Sequence, residues 1–239
     1  MSEEDVDLTV DEKPMRGFRV RPDNPKGAVI VIPEAFGLND HIRTVTRRFA
    51  EEGFVAFAID IFHRSGADTA PYDDFGKVMS LFEGLTDEGL TADLSAAIKD
   101  FEHQGVSRHD VAVVGFCFGG RVAFLAGLRF DLGAAVSFYG GGIVTQGAFP
   151  AFPPLLDSLT ELQTPFLGLF GDLDRSISIS DVEQLRAALV EHAPSVEAEI
   201  HRYDDADHGF HCDERPSFNE QASRDAWART IGFIRQHVT

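Results

Sequence analysis

Cys117 is the residue in this chain best placed to act as a nucleophile. Gly115 stands two positions before it and Gly119 two after it, in the run VAVVGFCFGG at residues 111–120. The first part of that run reads as a short buried strand. The small, apolar residues after it (GGRVAFLAGL) read as a helix. Cys117 would then sit on a sharp strand-to-helix turn, the G-x-nucleophile-x-G elbow, with Cys where Ser is usual. The glycines have a steric purpose, because the two limbs of such a turn pass too close for a Cβ.

A thiol is mostly protonated at neutral pH, so a catalytic cysteine needs a base or a positive neighbour. Histidine is the usual base, and a carboxylate fixes its tautomer and stabilises the imidazolium. Asp174 and His208 follow Cys117 in the order nucleophile, acid, histidine. Asp172 competes with Asp174 within GDLDRS, where either could form a turn. His211 competes with His208 within DADHGFH. A zinc reading of His208, His211 and Cys212 is weakened by tight spacing and the lack of a second ligand pair, so no metal is expected. Cys117 could also be an inert buried thiol. The reaction would need donors for an oxyanion as well. The backbone N–H of Phe118, at the helix start, is one; the N–H of Ala35, in the loop after an early strand, is the candidate for the second.

Those residues must be carried by particular elements. Residues 1–22 alternate weakly and suggest a hairpin or edge strand. Residues 28–32 (AVIVI) are a continuous apolar, mostly β-branched run, as in a strand covered on both faces, and lead to Glu34. Asp40 is the expected N-cap of a helix from 41 to 52. Further strands are expected at 54–59, 134–139, 165–170 and 196–203. Helices are expected at 73–83, 90–104, 181–192 and 219–237, with an irregular stretch at 61–72. The Pro- and Phe-rich loop at 148–157 suggests surface cover or a wall of the site. Alternating strands and helices predict a mainly parallel sheet with helices on both faces. Ligands bind such sheets at the carboxyl ends of the strands, where Glu34, Cys117, Asp174 and His208 all fall.

Composition limits the rest. A chain of 239 residues, 44% apolar and holding 21 Phe, suits one α/β domain spanning 1–239. No run of 18 apolar residues exists, so no membrane association is expected. Two cysteines and an acidic N-terminus without signal design suggest a cytoplasmic location. A net charge of −18 argues against nucleic acid as a partner. Only four of the 21 basic residues are lysine, and with so many carboxylates this balance suggests a halophilic protein; the alternative is an ordinary acidic enzyme.

Four segments resemble the dienelactone hydrolase (carboxymethylenebutenolidase) family of the α/β-hydrolases: PEAFGLN with Glu34, GFCFGG with Cys117, GDLD with Asp174 and YDDADHGF with His208. SFYGG, with Tyr139, is similar to a family strand end. The resemblance runs from about residue 15 to the end and implies an α/β-hydrolase fold without a large cap domain, no cofactor and a monomer. It favours Asp174 over Asp172. It also implies an acyl-enzyme on Cys117, with His208 managing the proton, Asp174 orienting His208 and the N–H groups of Phe118 and Ala35 holding the oxyanion. Glu34 would hydrogen-bond the resting thiol and take its proton when a substrate anion arrives, which spares an exposed thiolate from oxidation. Members bind their substrate carboxylate with arginines. Here Arg215 is the nearest arginine past His208, and Tyr139 and Arg215 are expected to contact substrate. His63 and Arg64 offer another source of charge, and the helix at 73–83 offers only Lys77.

The expected function is therefore hydrolysis of a small-molecule lactone or carboxylic ester. A thioesterase or small-ester esterase would use the same groups. A non-catalytic binding or redox-sensing module would keep the fold without turnover, and a Cys117–Cys212 disulfide is one form such a switch could take.

Overall fold

Five consecutive strand segments are buried at every position, which sets the architecture. The computed structural model describes residues 1–66 and 69–238. Strands β3 (Ala28–Ile32), β4 (Val55–Ile59), β5 (Val111–Phe116), β6 (Ala134–Phe138) and β7 (Phe166–Gly171) expose none of their residues. Successive side chains on a strand point to opposite faces, so strands buried throughout require cover on both sides.

The cover comes from helices. On β5 and β6 lies α4 (Phe118–Arg129), which also packs on α3 (Asp87–His103). Helix α1 (Asp40–Glu51) packs on β4 and meets α6 (Glu220–His237) through Phe49 and Trp227, whose rings lie 4.5 Å apart. Helix α2 (Phe75–Leu81) is short, and α5 (Ile179–His192) packs on the last strand, β8 (Ala198–Tyr203).

The N-terminal hairpin forms as expected, from β1 (Ser2–Val10) and β2 (Lys13–Arg21). The eight strands run in the order β1-β2-β4-β3-β5-β6-β7-β8. The β1–β2 and β2–β4 pairings are antiparallel and the other five are parallel. This is the expected α/β-hydrolase fold, with no large cap among the described residues. Among the described residues no helix is long and apolar enough to cross a membrane.

Two local expectations change. The α1 cap is Asn39, whose side-chain oxygen accepts from Ile42 N at 3.1 Å, and Asp40 becomes the first helical residue. An acidic residue there favours the positive end of the helix dipole without making the capping bond. Strand β6 ends at Phe138 because Tyr139 takes a φ of 41°, outside the strand region. Residues 67 and 68 of the irregular stretch at 61–72 lie outside the described residues.

Candidate active site

The elbow is as tight as its glycines require. Cys117 has a φ of 56° and ψ of −119°, a conformation that side chains seldom adopt. Surrounding contacts hold it there. Cys117 N donates to Phe138 O at 3.0 Å, and Gly120 N donates to Cys117 O at 2.9 Å. A Cβ on Gly115 would stand 1.8 Å from Gly119 O, and one on Gly119 would stand 2.5 Å from both Ile32 O and Pro33 O. The second approach presses the start of α4 against the end of β3. It brings the loop of Glu34 and Ala35 beside the N-terminus of α4. Phe118 opens that helix, so its N–H has no carbonyl one turn earlier to bond.

The acid and the histidine are brought together by the loops after β7 and β8. A Cβ on Gly171 would lie 2.3 Å from Ala206 O, and Leu173 N donates to Ala206 O at 3.0 Å. His208 Nδ1 lies 2.6 Å from Asp174 Oδ2. Asp174 is buried, and its other oxygen accepts from Ser176 N at 2.8 Å and Ser176 Oγ at 2.6 Å. Of the two rival aspartates, Asp174 is the one bonded to His208, whereas Asp172 takes two bonds of 2.7 Å from the guanidinium of Arg202. Ser176 was not anticipated, although Asp-x-Ser is a sequence that bonds its own backbone.

Burial alone would lower the pKa of His208, but the Cys117 sulfur and the Asp174 carboxylate outweigh it and push the imidazole up to about 10. Burial alone would raise Asp174, but the bonds from His208 and Ser176 hold it below the usual carboxylate value. The two shifts agree: in the His208–Asp174 pair each group favours the charged form of the other. His211, the rival, is fully enclosed. It stacks on Phe116 and Trp227, its Nδ1 meets Ser223 Oγ at 2.9 Å, and burial holds it well below the usual histidine value. It is a neutral core histidine.

Glu34 departs from expectation. It is 1% exposed; Arg215 Nη1 donates to its Oε1 at 3.2 Å, and its Oε2 is buried without a partner. No bond to the Cys117 thiol is made in this conformation: Oε2 has no partner, and Oε1 accepts from Arg215, whose guanidinium lies over Gly209. Arg215 therefore reaches the site, paired with Glu34. Tyr139 is fully buried with an unpartnered hydroxyl, and its ring stands edge-on to His208 at 5.1 Å.

Tyr72 was not anticipated. Its hydroxyl accepts from Asn39 Nδ2 and donates to Glu214 Oε2, both at 3.0 Å, and lies 3.4 Å from Cys212 Sγ. Both cysteines are free. Burial, with the Glu34 carboxylate nearby, pushes the buried Cys212 thiol up to about 11, so it is protonated and unreactive at neutral pH. His63 and Arg64 supply no spare charge: both bond Asp93, at 3.0 and 2.7 Å, and Arg64 also bonds Asp11.

A cavity opens beside Cys117 and His208, walled by Phe118, Phe149, Phe152, Arg121 and Ser176. The loop at 148–157 thus forms a wall of the site. Arg121 lay unnoticed inside an apolar helix. It is buried, and its guanidinium is held by both oxygens of Asp87, at 2.6 and 2.9 Å.

Comparison with known proteins gives a consistent picture. Residues 15–238 match the family model described as "Dienelactone hydrolase family". The chain is 36% identical over 231 residues to an Escherichia coli K12 protein named "Putative carboxymethylenebutenolidase", covering 93% of this chain and 83% of that one. A Synechocystis protein of the same name is 38% identical over 217 residues, covering 84% and 82%. Among solved structures, a Klebsiella pneumoniae protein described as "Putative Dienelactone Hydrolase" superposes with a TM-score of 0.87 at 32% identity, covering 99% of this chain and all of that one. A dienelactone hydrolase-like promiscuous phosphotriesterase, P91, from metagenomic libraries shares the fold, with a TM-score of 0.81 at 22% identity and coverage of 100% and 99%.

Proposed function

The chain belongs to the dienelactone hydrolase family and is a hydrolase of lactone or ester bonds, and from that premise we propose that it works through an acyl-enzyme on Cys117. One observation carries the reading. Cys117, on its strained turn, shares a cavity with His208, which is bonded to buried Asp174 at 2.6 Å.

In this mechanism Cys117 Sγ attacks the carbonyl carbon. The N–H groups of Phe118 and Ala35 hold the oxyanion, and loss of one such donor typically costs about 3–4 kcal/mol. The carbon–oxygen bond then breaks and leaves a thioester. An enol-lactone gives an enolate, a good leaving group that needs little acid help. A poorer leaving group takes its proton from the His208 imidazolium. After an enolate leaves, the imidazolium gives its proton to the enolate or to solvent; neutral His208 then accepts a proton from water, whose oxygen attacks the thioester, and the departing thiolate takes that proton back as the thiol. Asp174 and Ser176 keep Nδ1 facing the carboxylate, so that Nε2 serves the reaction.

Glu34 offers a second partner for the thiol proton. Its free oxygen, Oε2, is buried, and a thiol turned towards it would be kept protonated and quiet. Arg215 fixes the other oxygen, which makes it a positioning residue for Glu34.

Hydrolysis of 4-nitrophenyl acetate and of an enol-lactone tests the reading. Both activities should vanish in Cys117→Ala. Undiminished turnover by that variant would refute the acyl-enzyme. Glu34→Gln should change turnover or the rate of thiol alkylation; if neither moves, Glu34 has no part in gating.

A further inference from the structure

The cavity beside Cys117 is unusual for a site meant to receive a carboxylate. Phe118, Phe149 and Phe152 form its wall, and behind them Phe82 stacks on Phe149 with centroids 3.7 Å apart. Among the described lining residues Arg121 is the one arginine or lysine. Its charge is already met. Both terminal nitrogens bond the Asp87 carboxylate, and Nη2 also donates to Pro153 O at 2.7 Å. Arg121 is 1% exposed and Asp87 19%, so solvent reaches the pair only from the carboxylate side. Arg121 Nε is buried without a partner, close to Gly142 on the cavity lining, so the wall keeps a spare donor but little net positive charge. Arg215, the other arginine of the site, is cancelled in the same way by Glu34.

A carboxylate entering this space would lose its water and meet no unpaired cation, because the His208 imidazolium is already bonded to Asp174, whereas an apolar ring would replace water against three phenyl rings. We propose, on the reading that Cys117 forms an acyl-enzyme, that this cavity selects an uncharged, apolar or aromatic substituent next to the scissile carbonyl, and that Asp87, by neutralising Arg121, excludes a carboxylate there. The substrates of this site are neutral lactones or esters.

Two esters of equal chain length read the claim: 4-nitrophenyl 5-phenylpentanoate and mono-4-nitrophenyl adipate, which end in a phenyl ring and a carboxylate. The wild type should favour the phenyl ester by about tenfold or more in kcat/KM. Asp87→Asn keeps the hydrogen-bonding shape but removes the charge, and should narrow that ratio about tenfold by raising turnover of the adipate ester. A wild type that prefers adipate, or a ratio unmoved in Asp87→Asn, would overturn the proposal. Should Asp87→Asn fail to fold, Phe149→Ala reads the same pocket: the ratio should fall through the phenyl ester, and an unchanged ratio overturns the proposal.

A measurement without turnover separates this inference from the one beneath it. Alkylation of wild-type Cys117 by iodoacetamide should be slowed by 5-phenylpentanamide and not by adipamate. Protection without any ester hydrolysis would retain the pocket and refute the hydrolase mechanism. Hydrolysis with stronger protection by adipamate would retain the mechanism and refute the pocket.

Discussion

His208 stands between the Cys117 sulfur and the Asp174 carboxylate, and its raised basicity links protonation to stability. In the unfolded chain a histidine titrates near 6.5; in the fold His208 titrates near 10. Between those values the folded state binds more protons, so stability falls as pH rises. The contribution is fully present below about 6.5 and lost on passing 10. Urea denaturation from pH 6 to 10 should therefore show a steeper decline for wild type than for His208→Gln, and parallel curves would contradict the assignment. The two aspartates give a sharper contrast. Asp174→Asn should lower kcat by about 10²–10⁴, because the imidazolium loses its carboxylate and the tautomer is no longer fixed. Asp172→Asn should stay within about threefold of wild type, since that carboxylate serves Arg202. Steady-state kinetics of the two variants decides it; the reverse ranking would move the acid to Asp172.

The elbow is where element geometry governs chemistry. A Cβ on Gly115 would meet backbone, which cannot turn aside, so Gly115→Ala should cost about 3 kcal/mol and slow alkylation of Cys117. Gly232, exposed in α6 with nothing within 4 Å of a built Cβ, predicts the opposite: Gly232→Ala should stabilise by about 0.5–1 kcal/mol. Urea midpoints check both, and equal effects would mean that the close approach is not what the elbow glycines serve. The same element was legible from sequence, because steric need leaves a local mark: glycines at fixed offsets, a β-branched run before, small residues after. Glu34, Cys117, Asp174 and His208 could be picked out for the same reason, each closing or following an apolar strand. The specificity wall left no such mark. Arg121 lies in a helix that reads as plain core, and Asp87 lies 34 positions earlier in the chain. Their pairing is a tertiary fact without a local pattern. Arg215 on Glu34, 181 positions apart, is another. The Asn39 cap was misread because Asn and Asp stand side by side, and both make good caps.

Across the whole molecule, charge remains the strongest signal outside the site. Much of the arginine is spent on exposed carboxylate pairs such as Arg224–Glu220 and Arg229–Asp225. Each is worth well under 1 kcal/mol, so salt that weakens them takes away little. The same salt screens the self-repulsion of a net charge of −18 over most of the surface, and that term should dominate. Raising KCl from dilute buffer to about 2 M should raise Tm by about 5–10 °C, equivalent to about 2–3 kcal/mol. A flat or falling Tm in a salt titration would remove the halophilic reading. The central claim concerns one covalent bond, and it can be observed directly. Wild-type protein mixed with 4-nitrophenyl acetate and quenched in acid within the first turnovers should carry one acetyl group, mapped by peptide mass spectrometry to Cys117. Turnover in the same sample with Cys117 unmodified, or with the acetyl group on another residue, would contradict the account.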